Sequence, residues 1–151
     1  MLTLMSNAGP VPPPLGIERH VALTFNDVAD AEAASRGLVP PGEEHVATIL
    51  DTVRAWDRHA PLLVHCWFGV SRSPAAAIIA LAALRPDLSE EAIARALRRA
   101  APFATPNPRM IALADAMLGR DGRLGAAVAA IGRGAETSEG VPFALDVEAL
   151  A

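Results

Sequence analysis

Apolar residues fall along this chain in two rhythms. His20 to Phe25 alternates weakly, and Pro61, Leu62, Leu63, Val64 and His65 form a short apolar run. The first reads as a strand and the second as a fully buried strand. The longer segments repeat at helical spacing. Gly42 to Asp57 places Val46, Ile49, Leu50, Val53 and Trp56 on one side, and Pro74 to Leu84 is an alanine-rich apolar run of helical length. Ser89 caps a further amphipathic helix carrying Ile93 and Leu97, and Arg109 to Leu118 predicts another, stopped near Gly119. Between these lies Gly9 to Gly16 (GPVPPPLG), a proline-rich surface loop. After the alanine-rich stretch from Gly125, Gly132 to Gly140 reads as a flexible connection, which makes 132–151 a flexible C-terminal tail. Two strands each followed by helical sequence predict an α/β fold, a single domain over 1–151 whose central, mainly parallel sheet is flanked by helices on both faces.

Composition narrows the function classes. The chain has 151 residues, 52% of them hydrophobic, and a mean hydropathy of +0.29, which argues against disorder. A net charge of −4 and the lack of any basic run argue against a general nucleic-acid surface. The single cysteine excludes an internal disulfide and any CxxC zinc or redox pair, so the expected compartment is the cytoplasm. No apolar stretch has the uninterrupted length of a membrane span, and Met1 to Pro14 lacks the basic start of a signal peptide. His20, His45 and His59 lack ligand spacing and read as surface residues, so neither a metal nor a cofactor is expected. Arg95, Arg98 and Arg99 read as a solvated helical face.

The chemistry is concentrated in HCWFGVSRSP, His65 to Pro74. This segment joins the second strand to the alanine-rich helix, which puts Cys66 on a strand-to-helix loop. Ser73 is a good N-cap and Pro74 suits the first helical position, so the helix is expected to begin just after Arg72. Backbone N–H groups from Trp67, Phe68, Gly69, Val70, Ser71 and Arg72 can converge on one point, where free amides and the helix dipole favour an anion. Cys66 is expected there as a thiolate, a nucleophile that needs no separate base. Arg72 supplies a planar fork matched to two phosphate oxygens. Gly69 lets the backbone pass close to the ligand.

HC, five residues, RS, with GVSRSP as the second half, resembles the signature of the protein tyrosine phosphatase superfamily, specifically its dual-specificity-like cysteine phosphatases. The resemblance implies a cysteine-phosphatase-like fold and a phosphocysteine mechanism. By it, Cys66 is the nucleophile, Arg72 the phosphate-binding arginine, Ser73 the hydroxyl that assists departure of the thiolate, and His65 the histidine that supports it. It also implies a general acid on a separate upstream loop. Asn26 and Asp27 follow the first strand as an Asn-Asp pair does in some of these enzymes, so Asp27 is the expected acid and Asp30 the alternative. RALRRAAPFATPNPRM, Arg95 to Met110, resembles the family's arginine-containing helix and the segment after it, with Asn107 matching its asparagine. The likeness covers about residues 15 to 120.

Two departures from that pattern carry expectations of their own. Nothing precedes the piece represented by Leu2 to Met5: either Met1 is an internal or misassigned start, or the chain is a shortened version that lacks the family's N-terminal strand and leaves a sheet edge exposed, where a second copy of the chain can pair. Trp67 and Phe68 put two bulky aromatics in the phosphate loop, either on the rim of the pocket or packed beneath it. The expected substrate is a phosphorylated protein, phosphotyrosine foremost, or a small aryl phosphate, because the loop lacks the extra basic residues of inositide phosphatases. The rival readings are a phosphate-binding module without turnover and, behind it, a sulfur-transfer or arsenate-reducing enzyme.

Overall fold

A computed structural model of the chain describes residues 1–6 and 12–149. Its elements in order are β1 (Leu2–Met5), β2 (Val21–Thr24), a 3-10 turn (Ala31–Arg36), α1 (Glu43–Arg54), β3 (Val64–His65), α2 (Arg72–Leu84), α3 (Glu90–Ala100), α4 (Pro108–Met117) and α5 (Arg123–Ala130). The sheet order is β2-β1-β3 with both pairings parallel, Leu2 lying opposite Val21 on one side and Val64 on the other.

Burial follows position in the sheet. The central strand β1 is buried along its length, whereas the outer strand β2 alternates half-buried with exposed. β3 corrects the expectation of a fully buried strand from Pro61. It is a two-residue outer strand, extended by a hydrogen bond from Leu2 N–H to the Leu63 carbonyl at 2.8 Å, and Leu63 itself is exposed. Among the described residues no fourth strand pairs with β2 or β3.

Leu2, Leu4 and Phe25 join one core with Ile49 and Val53 of α1, Ile78 and Ile79 of α2, Ile93 and Leu97 of α3, Met110 and Ile111 of α4, and Leu124 of α5. Each such side chain contributes roughly 1.5–3 kcal/mol when fully buried. α2 lies at the centre, against α1, α3, α4 and β3, and its alanines let those helices approach closely. The α/β class and the parallel sheet agree with the sequence pattern, but the helices gather into one connected body on the Leu2 and Leu4 side rather than dividing between two faces. The other side of the sheet carries Thr3, whose Oγ1 lies 2.9 Å from His20 Nε2 and 2.7 Å from His65 Nε2. His20 is therefore half-buried. So is His45, whose Nδ1 accepts the Gly42 N–H at 2.9 Å and whose ring packs against Phe25, while His59 is exposed as predicted.

The C-terminal segment, expected as a flexible tail, makes contacts along the body. Residues 132–149 hold no helix or strand, yet they lie across the body as a strap. Arg98 Nη2 donates to the Gly132 carbonyl at 2.7 Å, Ala135 N–H to the Pro102 carbonyl at 2.9 Å, and Arg85 Nη1 to the Val147 carbonyl at 2.8 Å. Phe143 meets Phe103 edge to face at 6.3 Å, and Leu145 and Val147 pack on the core. Arg98 thus ties down carbonyls instead of facing solvent. Residues 12–16 form an exposed loop as expected; residues 9–11 of the proline-rich segment and 150–151 of the tail lie outside the described residues. Among the described residues no helix is long and apolar enough to cross a membrane.

Candidate functional site

The predicted site residues meet at the carboxyl ends of the three parallel strands, where such sheets hold ligands. Ser6 follows β1, Phe25 and Asp27 follow β2, and Cys66 follows β3. The loop from Cys66 then turns through Gly69, at φ +70° in the left-handed region that glycine occupies without steric cost, and enters α2.

α2 begins at Arg72, two residues earlier than the Ser-Pro pair suggests, and no side chain caps it. Pro74 is tolerated because it still lies in the first turn, where a missing N–H costs no helical bond. Ser71 occupies the cap position but turns its hydroxyl to Asp27, and Ser73 turns its own to Cys66, Oγ to Sγ 3.3 Å. Both serines forgo capping, so the first-turn amides keep their capacity for an anion.

The loop's peptide planes are set from outside. The carbonyls of Phe68, Val70 and Ser71 accept hydrogen bonds from Gly140 N–H at 2.6 Å, Thr105 N–H at 2.8 Å and Asn107 N–H at 3.3 Å respectively. In a planar trans peptide the N–H points opposite to the C=O. With these carbonyls turned outward, the amides of Gly69, Ser71 and Arg72 point inward. Among the described residues none of the N–H groups from Trp67 to Ser71 donates to a protein acceptor. Buried or half-buried amides without partners are the ready-made donors of an anion site.

Arg72 is buried, 3% exposed, and is held by one edge only. Its Nη1 donates to the Phe25 carbonyl at 2.7 Å and to Ser6 Oγ at 2.9 Å, and the guanidinium lies 5.9 Å from the centre of the Phe25 ring. Nε is buried with no hydrogen-bond partner among the described residues. An unmatched buried cationic donor is costly unless something arrives to satisfy it. The fork that bears it is the right shape for two oxygens of a phosphate.

Asp27 stands beside this fork, Oδ2 4.0 Å from Arg72 Nε. Its Oδ1 accepts from Ser71 Oγ and from Asn107 Nδ2, both at 2.7 Å. Asn26 pins the base of this turn to Val39 through Asn26 N–H to the Val39 carbonyl at 2.6 Å and Val39 N–H to Asn26 Oδ1 at 2.8 Å. Asp30 goes elsewhere: it accepts the Glu32 N–H at 2.7 Å at the start of the 3-10 turn and pairs with Arg36 at 3.4 Å. Of the two acid candidates, only Asp27 is bonded to the loop.

Trp67 and Phe68 are 56% and 63% exposed, so they form part of the rim and do not pack beneath the loop. Surface depressions lined by Ala112, Asp115 and Gly122, and by Arg54, Leu118 and Arg123, share no residue with the loop. Sequence reasoning missed Ser6, Thr105 and the Phe25 carbonyl. Ser6 was findable, since it directly follows an apolar strand as Cys66 directly follows β3. Thr105 acts through its backbone, which leaves no trace in side-chain identity. No family model, curated protein or solved structure matches the chain.

Proposed function

We propose that this chain hydrolyses phosphate monoesters through a phosphocysteine intermediate, as do the dual-specificity-like cysteine phosphatases it resembles. The observation that carries the reading is the Arg72 guanidinium, anchored through Nη1 while its buried Nε stays unsatisfied beside a loop of free amides.

In the first step the Cys66 thiolate attacks phosphorus, and the bond from phosphorus to the leaving oxygen breaks. Arg72 and the inward amides hold the non-bridging oxygens as charge develops on them. Asp27 gives the leaving oxygen a proton. Since Oδ1 is already taken by two donors, that proton resides on Oδ2, the oxygen facing Arg72. In the second step the Asp27 carboxylate takes a proton from water as the water oxygen attacks phosphorus. The phosphorus–sulfur bond breaks, and the Ser73 hydroxyl at 3.3 Å donates to the departing thiolate. His65, fixed through Thr3, orients the strand end that carries Cys66. The proposed substrates are phosphorylated proteins, phosphotyrosine foremost, or small aryl phosphates.

The test is hydrolysis of para-nitrophenyl phosphate across pH 5 to 8 without added metal, for wild type, Cys66→Ser, Asp27→Asn and Asp30→Asn. Activity that vanishes with Cys66→Ser, drops about 10²–10⁴-fold with Asp27→Asn and survives Asp30→Asn supports the mechanism. The alkaline-side fall should disappear in Asp27→Asn alone. A folded wild type without activity returns the chain to the reading of a phosphate-binding module.

A further inference from the structure

The geometry points to the C-terminal strap as a positioning element of the phosphate loop, with Gly140 as the residue that sets the Gly69 amide; the inference rests on the phosphatase reading above. Three donors turn the loop's carbonyls outward, and two of them, Thr105 and Asn107, come from the segment leading into α4. The third comes from the strap. Gly140 N–H meets the Phe68 carbonyl at 2.6 Å, and the Phe68–Gly69 peptide is the one whose N–H must face the anion.

Side-chain volume makes this approach specific. A Cβ at Gly140 would stand 2.4 Å from Phe103 Cε2 and 3.0 Å from the Gly69 carbonyl oxygen. A Cβ at Gly134 would stand 2.2 Å from the Phe103 carbonyl oxygen and 2.6 Å from that of Ala104. Neither glycine has a positive φ, so their freedom of conformation is not what the fold uses; the absence of a side chain is. Between them the strap is fixed by Gly134 N–H to Thr105 Oγ1 at 3.0 Å, and beyond them by Phe143 against Phe103. Thr105 therefore touches both systems: its hydroxyl receives the strap and its N–H holds the Val70 carbonyl. Loop and strap are one hydrogen-bonded unit.

The experiment compares full-length Gly140→Ala and Phe143→Ala with wild type. Gly140→Ala presses a methyl group against the Phe103 ring and the Gly69 carbonyl and so shifts the strap against the loop, whereas Phe143→Ala loosens the strap without adding an atom near it. Four quantities are read: vanadate affinity, kcat/KM for para-nitrophenyl phosphate with its pH profile, hydrogen exchange of the peptide covering Cys66 to Arg72, and thermal unfolding. The expected result is vanadate affinity and kcat/KM lower by about 10-fold, the loss of one oriented donor to an oxyanion. Loop exchange should be faster, while the pH profile keeps its shape, because neither Ser71 nor Asn107, which hold Asp27, bonds to the strap directly. If Gly140→Ala does not fold, Phe143→Ala decides. Folded variants with wild-type vanadate affinity, turnover and loop exchange would overturn the inference while leaving the phosphatase reading intact. Conversely, a wild type that neither binds vanadate nor turns over, but whose loop exchange depends on the strap, sinks the phosphatase reading and keeps the strap as a support of the loop.

Discussion

Asn107 serves Asp27 and helix α4 with opposite ends of one amide. Its Nδ2 donates to Asp27 Oδ1 at 2.7 Å and to the Val28 carbonyl at 3.3 Å, while its Oδ1 accepts the N–H groups of Arg109 and Met110, both at 3.1 Å. The proposed acid is thereby tied to the residue that caps α4, 80 positions downstream. The two roles separate by substitution. Asp at this position keeps a capping oxygen but loses the donor and sets a like charge beside Asp27. Alanine loses both. Asn107→Asp should lose at least about 10-fold in kcat and melt at a lower temperature near neutral pH, the melting temperature recovering towards wild type as pH falls and the added carboxylate is neutralised. Asn107→Ala should lose kcat and also about 1 kcal/mol of stability. Equal kcat for Asn107→Asp and wild type would remove Asn107 from the positioning of the acid.

Ser73 separates the two chemical steps. Its hydroxyl lies 3.3 Å from Cys66 Sγ and is released from any capping duty, so its expected contribution is to the departure of sulfur from phosphorus. Ser73→Ala should leave the first step largely intact and slow the second. Rapid mixing with para-nitrophenyl phosphate should then show a burst of nitrophenol approaching one equivalent per enzyme, followed by a slow steady state. A uniform slowing without a burst would place Ser73 in loop architecture alone.

Trp67 offers a reporter. The chain has two tryptophans, and Trp56 is engaged at the end of α1, where its Nε1 donates to the Ala60 carbonyl at 2.8 Å. Trp67 instead stands exposed next to Cys66. Vanadate binding should change the intrinsic fluorescence, and the change should persist in Trp56→Phe and be lost in Trp67→Phe. A signal that follows Trp56 would mean that the anion binds elsewhere or acts at a distance.

Stability in acid should depend on Glu90, which lies buried between Arg120 and Arg123, each at 3.1 Å. Burial pushes its carboxyl up, but a backbone hydrogen bond and the guanidinium hydrogen bonds from Arg123 and Arg120 outweigh it, holding the pKa below the ordinary 4.5. A folded pKa below the unfolded one means stability that is present above about pH 4.5 and drains away as pH falls through the lower, folded value. Glu90→Gln leaves the buried Arg120 charge unpaired and should cost about 3 kcal/mol at pH 7. Denaturant titrations should show that gap closing as pH drops below 4.5. A gap independent of pH would assign the loss to packing.

Much of the site was legible because it is written in side-chain chemistry at short spacing. Cys66, Gly69, Arg72 and Ser73 lie within one turn of chain, and Asn26–Asp27 follows a recognisable strand. The start of α2 was misplaced for a physical reason: Ser-Pro is a strong helix-start signal, yet here Ser71 and Ser73 spend their hydroxyls on Asp27 and Cys66. The strap was read as flexible because Gly132 to Gly140 is rich in glycine and polar residues. Its order comes from partners far away in sequence, Arg98, Pro102 and Phe103, and from two glycines that permit contact. The gathering of helices on one side of the sheet likewise depends on how α2, nearly apolar all round, draws α1, α3 and α4 onto itself, which periodicity within any one helix does not reveal.

The peptide planes of the loop from Cys66 to Arg72 carry a consequence for the order of assembly. α2 to α5 are joined by connections of seven residues or fewer and can form from local sequence, whereas the Phe68 and Val70 carbonyls are turned outward only once Gly140 and Thr105 have reached the loop. Contacts this remote close late, because the entropy of a long loop is spent before its bonds repay it. During refolding, helical circular dichroism should therefore recover before vanadate-dependent Trp67 fluorescence; simultaneous recovery would mean that loop and helices form in one step. If the lag is found, the protein acquires its shape first and its affinity for anions afterwards.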